Sequence, residues 1–257
     1  ARRVRLDGIT REWAFDVATG KGVTVAIIDS GLEADHPKLL GRVVERVTVE
    51  IRDDETTVVP DPEGDMYGHG TACGDVILRF APEAELVSIR VLGADLKGKG
   101  AAFLEAIDWA TKRGCQVANL SLSSKSETLF PYFHELADEA YFKGLSLVCA
   151  ANNYAGASYP SLFSSVFSVA AHPVKDPWRW YYNPKPPVEF SAWGVDVPMA
   201  WKDGGSTVAT GNSFAAPHVA GLVARLVSKH PGLSPFEIKA ILAATANDPL
   251  APVPGAA

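Results

Sequence analysis

Between Gly22 and Asp29 the chain reads Val23-Thr24-Val25-Ala26-Ile27-Ile28, β-branched and apolar with no alternation. A strand of that pattern has no face to give to water, so it belongs inside a sheet covered on both sides. Such sheets are mostly parallel, and parallel neighbours need crossover connections, usually helices. The rest of the chain supplies both. Residues 42–51 alternate as a half-exposed strand would, and Glu85 to Leu92, Val117 to Leu122, Leu145 to Ala150 and Val166 to Ala171 read as further strands. Thr71 to Phe80, Ala101 to Arg113 and Pro131 to Lys143 read as helices between them. The second carries Phe103, Leu104, Ile107 and Ala110 on one face and stops at Gly114; the third stops at Gly144. Val219, Leu222, Val223 and Leu226 form the stripe of a long helix ending near His230-Pro231-Gly232. The prediction is an α/β chain of three layers, a central mostly parallel sheet with helices on both faces. One domain over residues 1–257 is expected, because no repeat, low-complexity run or linker interrupts the pattern. Arg52 to Asp65, with Pro60, Pro62 and Gly64, reads as a polar loop, and Asn183 to Pro187 as a surface loop. Asp248 to Ala257 reads as a frayed Pro/Ala-rich tail.

Composition narrows the function. The 257 residues are 47% hydrophobic, enough for a large core, and the net charge of −6 comes with no basic patch. Nucleic acid and anionic membrane surfaces are therefore not expected partners. No apolar stretch approaches the roughly 20 residues a bilayer span requires. Arg2 and Arg3 precede no apolar run, so no signal peptide is read. The three cysteines, Cys73, Cys115 and Cys149, are odd in number and lack C-x-x-C spacing. They read as buried reduced thiols and lean toward a reducing compartment.

Three residues stand where side chains reach a cleft. Asp29 ends the first buried strand. His69 sits in Gly68-His69-Gly70-Thr71 at the mouth of a helix, and Ser213 in Gly211-Asn212-Ser213-Phe214-Ala215-Ala216-Pro217 at the start of the long helix. Singly, an Asp at a strand end is usually a turn former, and a lone His or Ser is usually solvated or packed. Together they are what acyl transfer by a serine needs: a hydroxyl, an imidazole to take its proton, and a carboxylate to hold that imidazole.

These segments resemble the subtilisin-like serine protease (subtilase) family. Ala26-Ile27-Ile28-Asp29-Ser30-Gly31 with His36-Pro37 resembles its aspartate motif, Gly68 to Thr71 its histidine motif, and Gly211 to Pro217 its serine motif, in the order Asp, His, Ser. Val91-Leu92-Gly93, Asn119 to Leu122 and Tyr159-Pro160 are weaker matches, so the similarity runs from about Gly8 to Thr245. The resemblance implies a subtilisin-like fold and an endopeptidase with Asp29, His69 and Ser213 as its triad. It also implies Asn153 as oxyanion donor, in Ala150-Ala151-Asn152-Asn153. Asn152 stands where the family has glycine, and Asn212 where it usually has threonine. An extended substrate would pair with Leu96-Lys97-Gly98 and with Ser121-Leu122-Ser123. Its P1 pocket would be walled by Ala150, Ala151, Asn152 and Ser121 to Ser123, with a floor near Ser158. No charge stands there, so an uncharged, medium-to-large P1 residue is expected. Lys97 and Lys99 suggest tolerance for acidic residues further upstream. Expected partners are peptides or unfolded proteins, with a pro-peptide or a proteinaceous inhibitor as further candidates; the family is commonly extracellular. No cofactor is required. The family's strong calcium site needs an Asp just after His36-Pro37, where Lys38 stands, and a loop in the helix after the histidine motif, for which there is no room. Weaker calcium sites remain open in Asp53-Asp54-Glu55 or Asp61 to Asp65.

Other readings compete. Gly93-Ala94-Asp95-Leu96-Lys97-Gly98-Lys99 matches a P-loop up to its last position, where Gly100 replaces the Mg²⁺-ligating hydroxyl, so a nucleotide-binding protein is the rival from another class. His69 and Cys73, one helical turn apart, could begin a metal site but lack further ligands. An α/β-hydrolase fails because Ser213 has no G-x-S-x-G frame. A catalytically silent peptide-binding module is the last alternative.

Overall fold

The computed structural model describes residues 8–248 except 54 and 155. In chain order the elements are α1 (Arg11–Phe15), β1 (Thr24–Asp29), β2 (Val43–Arg52), β3 (Glu55–Pro60), α2 (His69–Phe80), β4 (Glu85–Arg90) and α3 (Gly100–Arg113). Then come β5 (Val117–Leu120), α4 (Phe130–Phe142), β6 (Ser146–Ala150), β7 (Phe167–His172), β8 (Tyr181–Tyr182) and β9 (Phe190–Trp193). The chain closes with β10 (Val197–Trp201), β11 (Gly205–Ala209), α5 (Asn212–Lys229) and α6 (Pro235–Ala244). Nine strands form one sheet in the order β3-β2-β4-β1-β5-β6-β7-β9-β8. The run from β2 to β9 is parallel, and only the edge strands β3 and β8 pair antiparallel. A separate hairpin pairs β10 with β11.

The unalternating apolar strand explains itself in section. Val25 and Ile27 face a core shared with α2 and α5. Ala26 and Ile28 face a second core, built with Phe103, Ala106 and Ile107 of α3 and Phe133, Ala137 and Ala140 of α4. Successive side chains of a strand point to opposite faces, so Asp29 falls on the α2/α5 side. Strand β1 also lies between β4 and β5, where the chain crosses from one half of the sheet to the other. Crevices at the carboxyl ends of strands flanking such a switch point are where α/β sheets bind ligands. Asp29 stands at that end, on the face that α2 and α5 cover.

The strands and helices read from the sequence are present, with boundaries within a few residues. One expectation is corrected. Arg52 to Asp65 is not all loop, because Glu55–Pro60 forms β3 and pairs with β2 from Val47↔Pro60 to Arg52↔Glu55. Thr56-Thr57-Val58-Val59 is a β-branched run, and Pro60 is tolerated because β3 is an edge strand. Six elements carry no expectation from the sequence: α1, β8, β9, β10, β11 and α6. Helix α6 starts with a full capping box, Ser234 with Glu237, and Pro235 in its first turn. Of the expected tail, 249–257 lies outside the described residues. No helix among the described residues is long and apolar enough to cross a membrane.

Candidate active site

Asp29 is fully buried. Its Oδ1 accepts from the Ser30 N–H at 2.7 Å, and both carboxylate oxygens face His69 Nδ1, at 2.8 and 2.9 Å. His69 opens α2, and the turn before it is held by Asp65. That carboxylate accepts from the Tyr67 and Gly68 N–H groups at 3.0 and 2.7 Å, and from the Thr71 N–H and hydroxyl at 2.8 and 2.6 Å. A carboxylate at this end also meets the positive pole of the helix. Asp65 further accepts from Ser30 Oγ at 2.8 Å, and Ser30 Oγ accepts from the Gly70 N–H at 3.1 Å. The neighbours of Asp29 and His69 are thus tied to each other as the two side chains are. Gly68 takes φ of 115°, and a Cβ there would lie 2.6 Å from the Trp201 ring, so only glycine fits before the histidine.

Burial pulls the pKa of His69 down, but the charge and hydrogen bond of Asp29 push it the other way, and the net position is well above that of an ordinary histidine. Cys73, one turn further along α2, is wholly buried, and its Sγ lies 3.4 Å from Ser121 Oγ and 3.9 Å from Asp29 Oδ2. Burial pushes its thiol upward, so it stays protonated. Asp29, His69 and Cys73 bring three possible ligand atoms within 4.8 Å of one another. The set suits a metal poorly, because metal needs the thiolate and a free carboxylate, whereas Asp29 is spent on His69 and Ser30. It is better described as an oriented imidazole with a packed thiol behind it.

Ser213 lies in the first turn of α5, facing the same cleft as His69. Its carbonyl accepts from Ser121 Oγ at 2.7 Å, which in turn accepts from Asn119 Nδ2 at 2.9 Å, so β5 locates the helix start. No hydrogen bond joins Ser213 Oγ to His69; bonds of this kind often tighten only when substrate is bound. The Ser213 N–H is in the first turn, where a helix has no acceptor of its own.

Asn153 lines the cleft too. Its Oδ1 accepts from the Asn212 N–H at 2.9 Å. Asn152 turns elsewhere: its Oδ1 accepts from the Tyr154 N–H at 3.3 Å, and it does not line the cleft. It does not adopt positive φ, so an asparagine there carries no left-handed strain.

The cleft measures about 540 Å³ and is bounded by Leu96, Lys97 and Gly98 on one side and Ser121, Leu122 and Ser123 on the other. Ala150, Ala151 and Ser158, expected around the P1 pocket, do not line it. Ala150 points into the α2/α5 core and Ala151 is buried. Ser158 is 1% exposed and its hydroxyl lies 3.2 Å from that of Ser161. The cause is an antiparallel bridge, Ser124↔Tyr159, whose two backbone hydrogen bonds of 2.9 and 2.8 Å draw the 158–159 segment against the cleft wall. Lys99 caps α3 and does not line the cleft either. Leu92, Gly100, Phe103, Ser124 and Lys125 also line it, which the sequence gives no reason to expect. Lys125 makes no ion pair among the described residues, and its ammonium lies 5.8 Å from the centre of the Tyr154 ring.

Leu96, Lys97 and Gly98 of the Gly93 to Lys99 segment line this cleft, and three of the segment's backbone donors are spent. The Gly93 N–H donates to Lys97 O, the Leu96 N–H to Gly93 O and the Lys97 N–H to Asp95 Oδ1. A phosphate cradle needs such groups open, so the nucleotide reading loses its support.

Known proteins repeat this layout. The Subtilase family model matches residues 20–254. Subtilisin DY of Bacillus licheniformis is 31% identical over 89% of this chain and 85% of its own. Subtilisin BL of Lederbergia lenta is 32% identical over the same shares. A cold-adapted subtilisin-like serine proteinase of known crystal structure superposes with a TM-score of 0.73 at 27% identity, covering 88% of this chain and 83% of that one.

Proposed function

The chain belongs to the subtilase family and is a serine endopeptidase, and on that premise we propose that Asp29, His69 and Ser213 are its triad and Asn153 its oxyanion donor. The observation that carries this reading is the Asp29–His69 pair, at 2.8 Å, opening onto the cleft that Ser213 lines. With Nδ1 committed to Asp29, His69 keeps Nε2 for the serine. Ser213 Oγ attacks the scissile carbonyl carbon while Nε2 takes its proton. Asp29 stabilises the imidazolium and holds the tautomer. The charge that develops on the carbonyl oxygen meets the Ser213 N–H and the Asn153 side-chain amide, with the α5 N-terminus behind them. His69 returns the proton to the leaving amine, giving an acyl-enzyme, and the same groups then activate water to release the acid.

The substrate is an extended peptide, laid between Leu96-Lys97-Gly98 and Ser121-Leu122-Ser123 by backbone pairing. The uncharged wall of Ser121, Leu122 and Ser123 favours an uncharged, medium-to-large P1 side chain. Lys97 is paired with Asp95 at 3.3 Å, whereas Lys125 has no ion pair among the described residues and no carboxylate lines the cleft, which favours acidic side chains elsewhere along the peptide. We further propose that the family's strong calcium site is replaced by protein charges. Lys38 shares a pocket with Asp75 and Arg79, and Asp75 accepts from Arg79 at 2.7 Å and from the Ala200 N–H at 2.8 Å, joining uninterrupted α2 to β10.

A fluorophosphonate probe followed by peptide mapping tests the assignment. Label on Ser213, and loss of both label and peptidase activity in Ser213→Ala, is expected; label that persists in Ser213→Ala refutes it.

A further inference from the structure

We infer that Asn212 is a positioning residue that builds the oxyanion site by locking Asn153 in place, an inference that rests on Asn153 being the oxyanion donor. Asn212 stands between the two groups proposed to receive the oxyanion, since Ser213 follows it in the chain and Asn153 touches it in space. Every polar atom of its side chain is engaged. Oδ1 accepts from the Ala171 N–H at 2.8 Å, at the end of β7. Nδ2 donates to Ala151 O and to Asn152 O, both at 3.1 Å, so its two hydrogens hold the two residues that lead into Asn153. The backbone N–H of Asn212 donates to Asn153 Oδ1 at 2.9 Å.

The consequences follow from donor and acceptor chemistry. An amide side chain has one acceptor end and one donor end. With Asn153 Oδ1 taken by the Asn212 N–H, its Nδ2 is the end left for the cleft, where it donates to no acceptor among the described residues. The turn 151–153 carries no strand ladder beyond the Ala151 N–H bond to Val169 O at 2.8 Å, so its carbonyls need another anchor. Asn212 provides it and ties the turn to β7 with the same side chain. Threonine could not, because one hydroxyl donates one hydrogen and cannot hold two carbonyls at once. Nor does Asn212 have a hydrogen left for substrate. Its side chain therefore acts on the reaction through Asn153, not by touching the oxyanion.

A double-mutant cycle decides the matter. Asn153→Ala, Asn212→Ala and the double variant are compared on one peptide substrate, with kcat, KM and the pH profile measured for each. Asn153→Ala is expected to lower kcat by about 10²–10³. Asn212→Ala should lower kcat by about tenfold with little change in KM, because it displaces a group felt only in the transition state. Added to Asn153→Ala, it should cost nothing further, and the acidic limb set by His69 should not move. Asn212→Asp keeps the Ala171 contact but sets a carboxylate against two carbonyls, so it should be at least as slow as Asn212→Ala, and it replaces that variant if alanine does not fold. Losses that multiply in the double variant, or wild-type kcat in Asn212→Ala beside a crippled Asn153→Ala, overturn the positioning role alone. An Asn153→Ala enzyme with normal kcat overturns the oxyanion reading itself.

Discussion

Gly70→Ala separates what local propensity asks from what the site allows. Gly70 is the second residue of α2, and its φ is not positive. On helix propensity alone, alanine should stabilise the protein by about 1 kcal/mol. The surroundings forbid it. A Cβ at Gly70 would overlap the carbonyl oxygen of Gly31, with the carbonyl carbon at 3.1 Å and Asp29 Cβ at 3.3 Å. Carbon keeps about 3.3 Å from a carbonyl oxygen even in a favourable contact, so the two segments must part by about 1 Å. The oxygen is backbone and cannot swing aside as a flexible side chain would. The segments that part are those carrying Asp29 and His69, whose bonds of 2.8 and 2.9 Å have no slack. Overpacking of this sort costs about 1–3 kcal/mol, which outweighs the helix gain, and a 1 Å error at the chemistry costs about 10²-fold in rate. The assay is steady-state hydrolysis of a peptide p-nitroanilide beside a thermal melt. Expected are a kcat lowered about 10²-fold, a KM near wild type because the cleft walls are untouched, and a melting temperature lower by a few degrees. A Gly70→Ala enzyme that is more stable and retains a third or more of wild-type kcat would refute the reasoning.

Free-enzyme kcat/KM should rise with pH through an ionisation above the ordinary histidine value of about 6.5, because Asp29 raises His69. The sign follows for stability: protonated His69 favours the fold below pH about 6.5, and that contribution fades as pH climbs through the raised folded value. In Asp29→Asn the carboxylate is gone while the burial remains, so the residual limb should fall; a limb that stays put removes Asp29 as the cause. At Lys125, charge reversal to glutamate should reduce hydrolysis of peptides with an acidic residue near the scissile bond relative to their amide isosteres, an effect that shrinks with salt; equal discrimination in both enzymes refutes a role for this lysine. EGTA should leave the melting temperature unchanged, whereas Arg79→Ala should lower it. Asp75, 4% exposed, would keep only the Ala200 N–H, at a cost of about 1–3 kcal/mol, or about 2–12 °C in a domain of this size. A large loss on chelation contradicts the replacement of calcium by these charges.

What could be read from the chain alone divides along a physical line. Asp29, His69 and Ser213 occupy element ends, and an element end is marked locally: by the stop of an apolar run, by glycines, by the first turn of a helix. The side of the sheet on which Asp29 falls is also implicit, since it shares parity with Val25 and Ile27. The β3 strand was readable as well, but Pro60, Pro62 and Gly64 outvoted Thr56 to Val59 until pairing with β2 supplied the missing hydrogen bonds. Ser158 and Lys125 are of another kind. Their places depend on the Ser124↔Tyr159 bridge, a pairing of loops that no periodicity announces. Asn212 belongs with them: its identity could be noticed against the threonine of the family pattern, yet its role requires knowing that Ala151, Asn152 and Ala171 converge on it. Cys73 shows why convergence matters chemically. Its spacing from His69 allows either a metal ligand or a packed thiol. Complete burial beside the Asp29 carboxylate decides for the thiol, because each disfavours a thiolate.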